Sequence, residues 1–171
     1  MTAPLPVNLR IPSSASLRHK SKLSMLQGRN VAENAQGRRP RLVLADDRPD
    51  ILEEVRRVLA FGFDVLCTVA EGNALVRAAA ELRPDAVITD LQMPELGGIE
   101  AGGEILRQGL CNAVIVLTMH DEPHLLGKAL QAGIRGYVMK LDASEELIPA
   151  IHAVLGGGSY LSRGASKNWR Q

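Results

Sequence analysis

The sequence predicts an α/β domain built on a doubly wound parallel sheet, and three observations carry that prediction. Five short aliphatic runs lie between residues 42 and 139, each continuous rather than alternating, as strands covered on both faces require. Helix-like segments separate the runs and follow the last, so consecutive strands must be parallel and joined by right-handed crossovers. Composition supplies the third observation: 46% of the 171 residues are apolar but only 3% are aromatic, so the core has to be aliphatic.

Residues 42–45, Leu-Val-Leu-Ala, form the first strand. In the segment 49–60 that follows, Ile51, Leu52, Val55, Val58 and Leu59 fall on one stripe of an otherwise charged helix. Residues 65–70, preceded by Phe61 and Phe63, make the second strand. A helix over 73–82 starts after Gly72 and stops before Pro84, since the residue preceding a proline is pushed out of helical space. The third strand is 86–89 and the third helix 98–108. Gly102 and Gly103 lie inside that helix and each costs about 1 kcal/mol against Ala in an exposed interior, so it is expected to be short or frayed. Strand 113–117, helix 123–131, strand 136–139 and helix 144–155 complete the series, the last stopped by Gly156, Gly157 and Gly158. No internal repeat is visible.

A core of this size fits one domain of the usual roughly 100–150 residues, with chain to spare. The net charge of +1 hides an asymmetry. Residues 1–40 hold seven Lys/Arg, one acid, Glu33, four prolines and five serines between Ser13 and Ser24, whereas residues 41–171 hold 13 Lys/Arg against 18 Asp/Glu. The expected organisation is a disordered basic extension over 1–40, the folded domain over 41–161 and a tail over 162–171. The extension is also Arg- and Ser-rich in the manner of an organelle transit peptide. No run of about 18 apolar residues and no secretory signal occurs, so a cytoplasmic protein without membrane association is expected. Cys67 and Cys111 lie in or beside apolar runs and read as reduced, buried thiols.

Ligands of open parallel sheets bind beyond the carboxyl ends of the strands, where strand order reverses. The first run ends in Asp46-Asp47, the third in Asp90, the fourth in Thr118 and the fifth in Lys140. If the first and third strands are neighbours, three carboxylates converge at one rim. They cannot all stay ionised without compensation. An oxygen-only cluster without His or Cys favours Mg²⁺ or Mn²⁺ over zinc, and such a metal with an ammonium and a hydroxyl opposite is matched to a phosphoryl group. Asp90, at the end of a central strand and before a loop with Pro94, Gly97 and Gly98, is the candidate nucleophile for an acyl phosphate, and the Gln92 carbonyl can reach the metal. Each piece has an ordinary structural explanation: the acids as helix caps, Thr118 as a cap, Lys140 as a solvated edge residue. Their joint occurrence at four strand ends does not.

The stretches Leu42-Val43-Leu44-Ala45-Asp46-Asp47, residues 87–98 around Thr89-Asp90, Val116-Leu117-Thr118-Met119-His120-Asp121-Glu122 and Gly136-Tyr137-Val138-Met139-Lys140 resemble the receiver domain of bacterial response regulators over residues 41–161. The resemblance implies a flavodoxin-like, five-stranded sheet in the order 2-1-3-4-5 with five helices. It makes Asp90 the phosphoacceptor, Asp47 a direct metal ligand, Asp46 a ligand through water and Gln92 a main-chain carbonyl ligand. Lys140 pairs with a phosphoryl oxygen, and Thr118 and Tyr137 form a switch acting on the surface of residues 125–155. The implied donor is a sensor histidine kinase and the implied cofactor Mg²⁺ or Mn²⁺. Gln92 and Met119 are expected to slow exchange with water and small phosphodonors.

The wording of residues 117–122 and of Gly157-Gly158-Ser159-Tyr160-Leu161-Ser162 most resembles receivers that precede a LuxR-type helix-turn-helix domain. Ten residues follow Leu161 and cannot form such a domain, so no direct DNA contact is expected. The partners expected are a second copy or a downstream protein, whether the chain is a single-domain receiver or a piece of a transcription regulator. The competing enzyme reading is a haloacid-dehalogenase-type phosphotransferase or phosphatase, which needs a second acid where Gln92 stands. A receiver used only for dimerisation is a third reading. His120 and His124, four apart, are read as a solvated helix start rather than a metal site, and His152 as a surface residue.

Overall fold

The computed structural model describes residues 37–120 and 122–168, so residues 1–36 of the expected extension, and Asp121, lie outside the described residues. The elements run β1 (Arg41–Ala45), α1 (Pro49–Leu59), β2 (Asp64–Val69), α2 (Gly72–Leu82), β3 (Ala86–Thr89), α3 (Gly98–Arg107), β4 (Val114–Thr118), α4 (Pro123–Gln131), β5 (Gly136–Met139), a 3-10 turn (Lys140–Asp142), α5 (Ala143–Leu155), β6 (Tyr160–Leu161) and α6 (Arg163–Asn168). All neighbouring strands are parallel, in the order β2-β1-β3-β4-β5-β6. Among the described residues no helix is long and apolar enough to cross a membrane.

Alternation along the strands sends side chains to two separate cores. Leu42, Leu44, Ile88, Ile115, Leu117 and Val138 face α1 and α5, packing on Val55, Leu59, Leu147 and Ile151. Val43, Val87, Val114, Val116 and Met139 face α2, α3 and α4, packing on Leu75, Ile105 and Leu126. Cys111 is buried and Cys67 half-buried, and both are free thiols whose pKa burial pushes up.

The structure corrects the sequence reading in three places. First, α3 is a continuous ten-residue helix. Its glycines are there for close approach: a Cβ on Gly102 would lie 2.9 Å from Val114 Cγ1 and 3.0 Å from Ile134 Cδ1, and one on Gly103 would lie 3.3 Å from Ala132 Cβ. Packing of Gly102 on β4 and Ile134, and of Gly103 on Ala132 at the end of α4, offsets the intrinsic cost of the two glycines. Second, among the described residues the sheet has six strands and six α-helices surround it, because the chain beyond the fifth helix docks back onto the sheet. Tyr160 N–H donates to Arg135 O at 2.8 Å, Ser162 N–H to Tyr137 O at 2.9 Å, and Met139 N–H to Ser162 Oγ at 3.1 Å. Ser162 is fully buried and Ala165 of α6 joins the core, so residues 162–166 do not hang as a tail. This strand covers the edge that β5 would otherwise expose. Third, β2 is only half-buried, with Asp64 exposed, because it has β1 as its single neighbour.

Candidate functional site

Strand order reverses between β1 and β3, and the polar residues that end the central strands meet there. Backbone pairing sets their height: Asp46 N–H donates to Val69 O at 3.1 Å, and Asp90 N–H to Ala45 O at 2.8 Å, so both acids emerge one residue past the ladder. Oxygens of Asp46, Asp47 and Asp90 lie within 4.8 Å of one another, and among the described residues no other set of three or more His, Cys, Asp or Glu side chains comes as close. Asp46 and Asp90 are buried, whereas Asp47 faces solvent.

Lys140, the first residue of the 3-10 turn after β5, reaches across with its Nζ 2.5 Å from Asp46 Oδ2 and 3.1 Å from Asp90 Oδ1. The remaining oxygens are held from the main chain: Arg48 N–H donates to Asp46 Oδ1 at 3.0 Å and Gln92 N–H to Asp90 Oδ2 at 3.2 Å. Burial pushes the Asp46 carboxyl above the ordinary carboxylate range, against the hydrogen bonds from Lys140 and Arg48 N–H that pull it down. Counted by formal charge, three carboxylates and one ammonium leave two negative charges at the rim. A divalent cation with a preference for oxygen fits that donor set.

The switch candidates lie beside the rim. Thr118 and Tyr137 are both buried, and one residue of the β4–α4 loop joins them: His120 N–H donates to Thr118 Oγ1 at 3.0 Å, and the Tyr137 hydroxyl donates to His120 O at 2.9 Å. Met119, next to Thr118, is half-exposed. His120 and His124 each turn Nδ1 toward Glu122, at 3.7 and 3.3 Å, without a third ligand among the described residues. None of the acids caps α1, whose N-cap is Arg48, without a side-chain hydrogen bond.

Two further residues support the site, and of these the sequence reading named only Gly98, in the loop after Asp90. Thr89, fully buried, donates from Oγ1 to Asp90 O at 3.0 Å. Gly98 sits so close that a Cβ there would lie 1.7 Å from Asp90 O. The sequence carried a signal only for the second, as a glycine at a helix start.

Comparison with known proteins identifies the family of the domain. A family model described as the response regulator receiver domain matches residues 42–152. Response regulator GacA of Pseudomonas aeruginosa is 33% identical over 124 residues, covering 71% of this chain and 58% of that protein. Transcriptional regulatory protein DegU of Brevibacillus brevis is 30% identical over 122 residues, covering 70% of this chain and 52% of that protein. The chain thus spans a little over half the length of these relatives. Among solved structures, a LuxR-family two-component response regulator from an Aurantimonas species superposes with a TM-score of 0.73 at 33% identity, covering 78% of this chain and 96% of that one. The isolated REC domain of RcsB from Salmonella enterica serovar Typhimurium, in the presence of phosphomimetic BeF₃⁻, gives 0.69 at 29% identity, covering 76% and 98%. The haloacid-dehalogenase alternative finds no support in these matches. The chain belongs to the response regulator receiver domain family.

Proposed function

We propose that Asp90 accepts a phosphoryl group from the phosphohistidine of a sensor histidine kinase, and that the resulting acyl phosphate changes which partner the domain binds. The observation that carries this reading is the buried contact of the Lys140 ammonium with Asp46 and Asp90 inside a group of three carboxylates. In the transfer, an Asp90 carboxylate oxygen forms the new O–P bond as the N–P bond of the donor breaks, and the imidazole leaves with a proton from solvent. Lys140 is already within ion-pair reach of Asp90 Oδ1, so it stands ready to pair with a phosphoryl oxygen as negative charge builds up there.

Asp46, Asp47, Asp90 and the Gln92 main-chain carbonyl would hold Mg²⁺ or Mn²⁺. Bound there, the ion would neutralise charge on the phosphoryl oxygens and on the carboxylates. A phosphoryl group adds a charge of about −1.5 to −2, which draws the Thr118 hydroxyl away from His120 N–H toward the new oxygens. The same His120 peptide holds the Tyr137 hydroxyl, so movement of the loop reaches the ring and the β5 surface. The domain catalyses its own phosphorylation and dephosphorylation only. Its setting is the cytoplasm, and its downstream partner is a second copy or another protein of a transcription-regulating system.

Incubation with Mg²⁺ and acetyl phosphate, followed by intact mass measurement, tests the reading. The expected result is a gain of one phosphate that hydroxylamine removes and that Asp90→Asn abolishes. A wild-type chain that gains no mass, or an Asp90→Asn chain that gains as much, overturns it.

A further inference from the structure

The loop between β3 and α3, residues 91–97, carries the groups closest to Asp90, and its outer half is held by a different element. Inside, Gln92 N–H binds Asp90 Oδ2, and Gly98 N–H closes the loop onto Leu91 O at 2.9 Å. Further out, Glu95 takes a positive φ of 67°, a left-handed conformation that non-glycine residues adopt rarely. Within the loop, Leu96 N–H closes that turn onto Pro94 O at 2.8 Å, and further support comes from outside it.

That support comes from the first two residues of α2. Gly72 is buried against Leu96: a Cβ there would lie 1.9 Å from Leu96 O and 2.7 Å from its carbonyl carbon, so two backbones touch where no other residue type fits. Asn73, beside it and exposed, donates from Nδ2 to Glu95 Oε2 at 2.8 Å. The contact pairs one backbone surface with one side-chain hydrogen bond, and both fall on the two loop residues around the left-handed turn. Neither Gly72 nor Asn73 belongs to the acidic group of Asp46, Asp47 and Asp90.

We propose that Gly72 and Asn73 are positioning residues of the phosphorylation site, fixing the β3–α3 loop so that the Gln92 main chain stays aligned with Asp90. The inference rests on the assignment of Asp90 as phosphoacceptor and extends that site to a further element, α2. Loosening the contact leaves the core intact but lets Gln92 drift, which weakens the hold on a divalent cation and changes the access of water to the acyl phosphate.

The experiment uses the full chain and three variants: Gly72→Ala, Asn73→Ala, and the double swap Asn73→Asp with Glu95→Gln. The swap exchanges donor and acceptor between isosteric side chains and keeps the wild-type charge. Readouts are the Mg²⁺ dissociation constant of the unphosphorylated protein, followed by the Gln92 amide resonance, the lifetime of the phosphorylated form, and the thermal unfolding midpoint. Expected is weaker Mg²⁺ binding, on the order of tenfold for Gly72→Ala and about threefold for Asn73→Ala, with an altered phosphoryl lifetime, as for outer partners of a metal site. The swap should recover wild-type values, and the unfolding midpoint of the Asn73 variants should stay near wild type. Unchanged Mg²⁺ affinity and lifetime in Asn73→Ala, or a swap no better than Asn73→Ala, overturns the proposal even if Gly72→Ala fails to fold. Failure of the wild type to take up phosphate would sink the reading of Asp90 instead, and the Mg²⁺ titration would still decide the positioning role.

Discussion

At the sheet rim the Lys140 ammonium pairs with the buried Asp46 and Asp90, with the exposed Asp47 beside them, whereas one turn into α5 the equally buried Glu146 is surrounded by donors. Glu146 accepts from the Tyr160 hydroxyl at 3.2 Å and from Arg163 N–H at 3.1 Å, and its Oε1 lies 3.4 Å from Arg163 Nε. Asp142 Oδ2 accepts from Gly164 N–H at 3.3 Å, so the two acids together cap the start of α6. Both regions place carboxylates at less than a tenth of their free exposure. Only the second balances them. A buried carboxylate whose charge and lone pairs are matched by the chain holds structure together; a cluster left with two uncompensated charges is arranged for something that arrives from solution.

The sharpest way to break this comparison is to remove the rim's one cation. Lys140→Met should lower stability by about 3 kcal/mol without divalent ions, because it leaves Asp46 and Asp90 buried and unpaired. Urea unfolding reads the loss, and millimolar Mg²⁺ should recover part of it, since an ion that binds the folded state alone stabilises it. Equal losses with and without Mg²⁺ would mean that the three acids do not act as an ion site.

Glu146→Ala makes the opposite case. It should cost about 2 kcal/mol by stranding the donors of Tyr160 and Arg163, and Mg²⁺ should change that figure no more than it changes wild type. The same variant should expose β6 and α6 to faster amide exchange, because the cap that docks them is gone. If exchange over residues 160–168 is unaltered, the capping role assigned to Glu146 is wrong.

These two regions also differ in how much of them the sequence reveals. The rim is legible because its acids, Thr118 and Lys140 each follow a continuous aliphatic run, and such runs are the strongest signal of buried parallel strands. The ranges 86–89 and 136–139 for strands and 123–131 for a helix agree with β3, β5 and α4 to the residue. The docked segment is not legible, since β6 has two residues and shows no periodicity, and α6 is defined by what it packs on. Gly102 misled for a related reason: helix propensity counts the cost of a glycine locally, while its benefit, contact with Val114 and Ile134, comes from elements far away in the chain. Thr89 and Asn73 each act through a single hydrogen bond, which residue type does not announce.

A third region, around Asp85, tests the principle where burial is only partial. Asp85, before β3, is paired with Arg38, which donates from Nη1 and Nη2 at 2.8 and 2.9 Å, and accepts from Arg41 N–H at 2.7 Å. Burial pushes its carboxyl up, but the hydrogen bonds and charges of Arg38 and Arg41 prevail and hold it below the ordinary range. A carboxyl that binds its proton more weakly when folded contributes stability in full above its unfolded pKa and loses it as pH falls through the lower, folded value. Asp85→Asn should therefore cost about 1 kcal/mol at neutral pH, the scale of a part-exposed ion pair with one backbone hydrogen bond added. The gap between wild type and variant should narrow as pH drops below the usual carboxylate range and close at the acid end. Chemical unfolding at several pH values measures it. A gap that widened on acidification would mean that the arginines do not govern Asp85, and that balance at a carboxylate cannot be read from its partners alone.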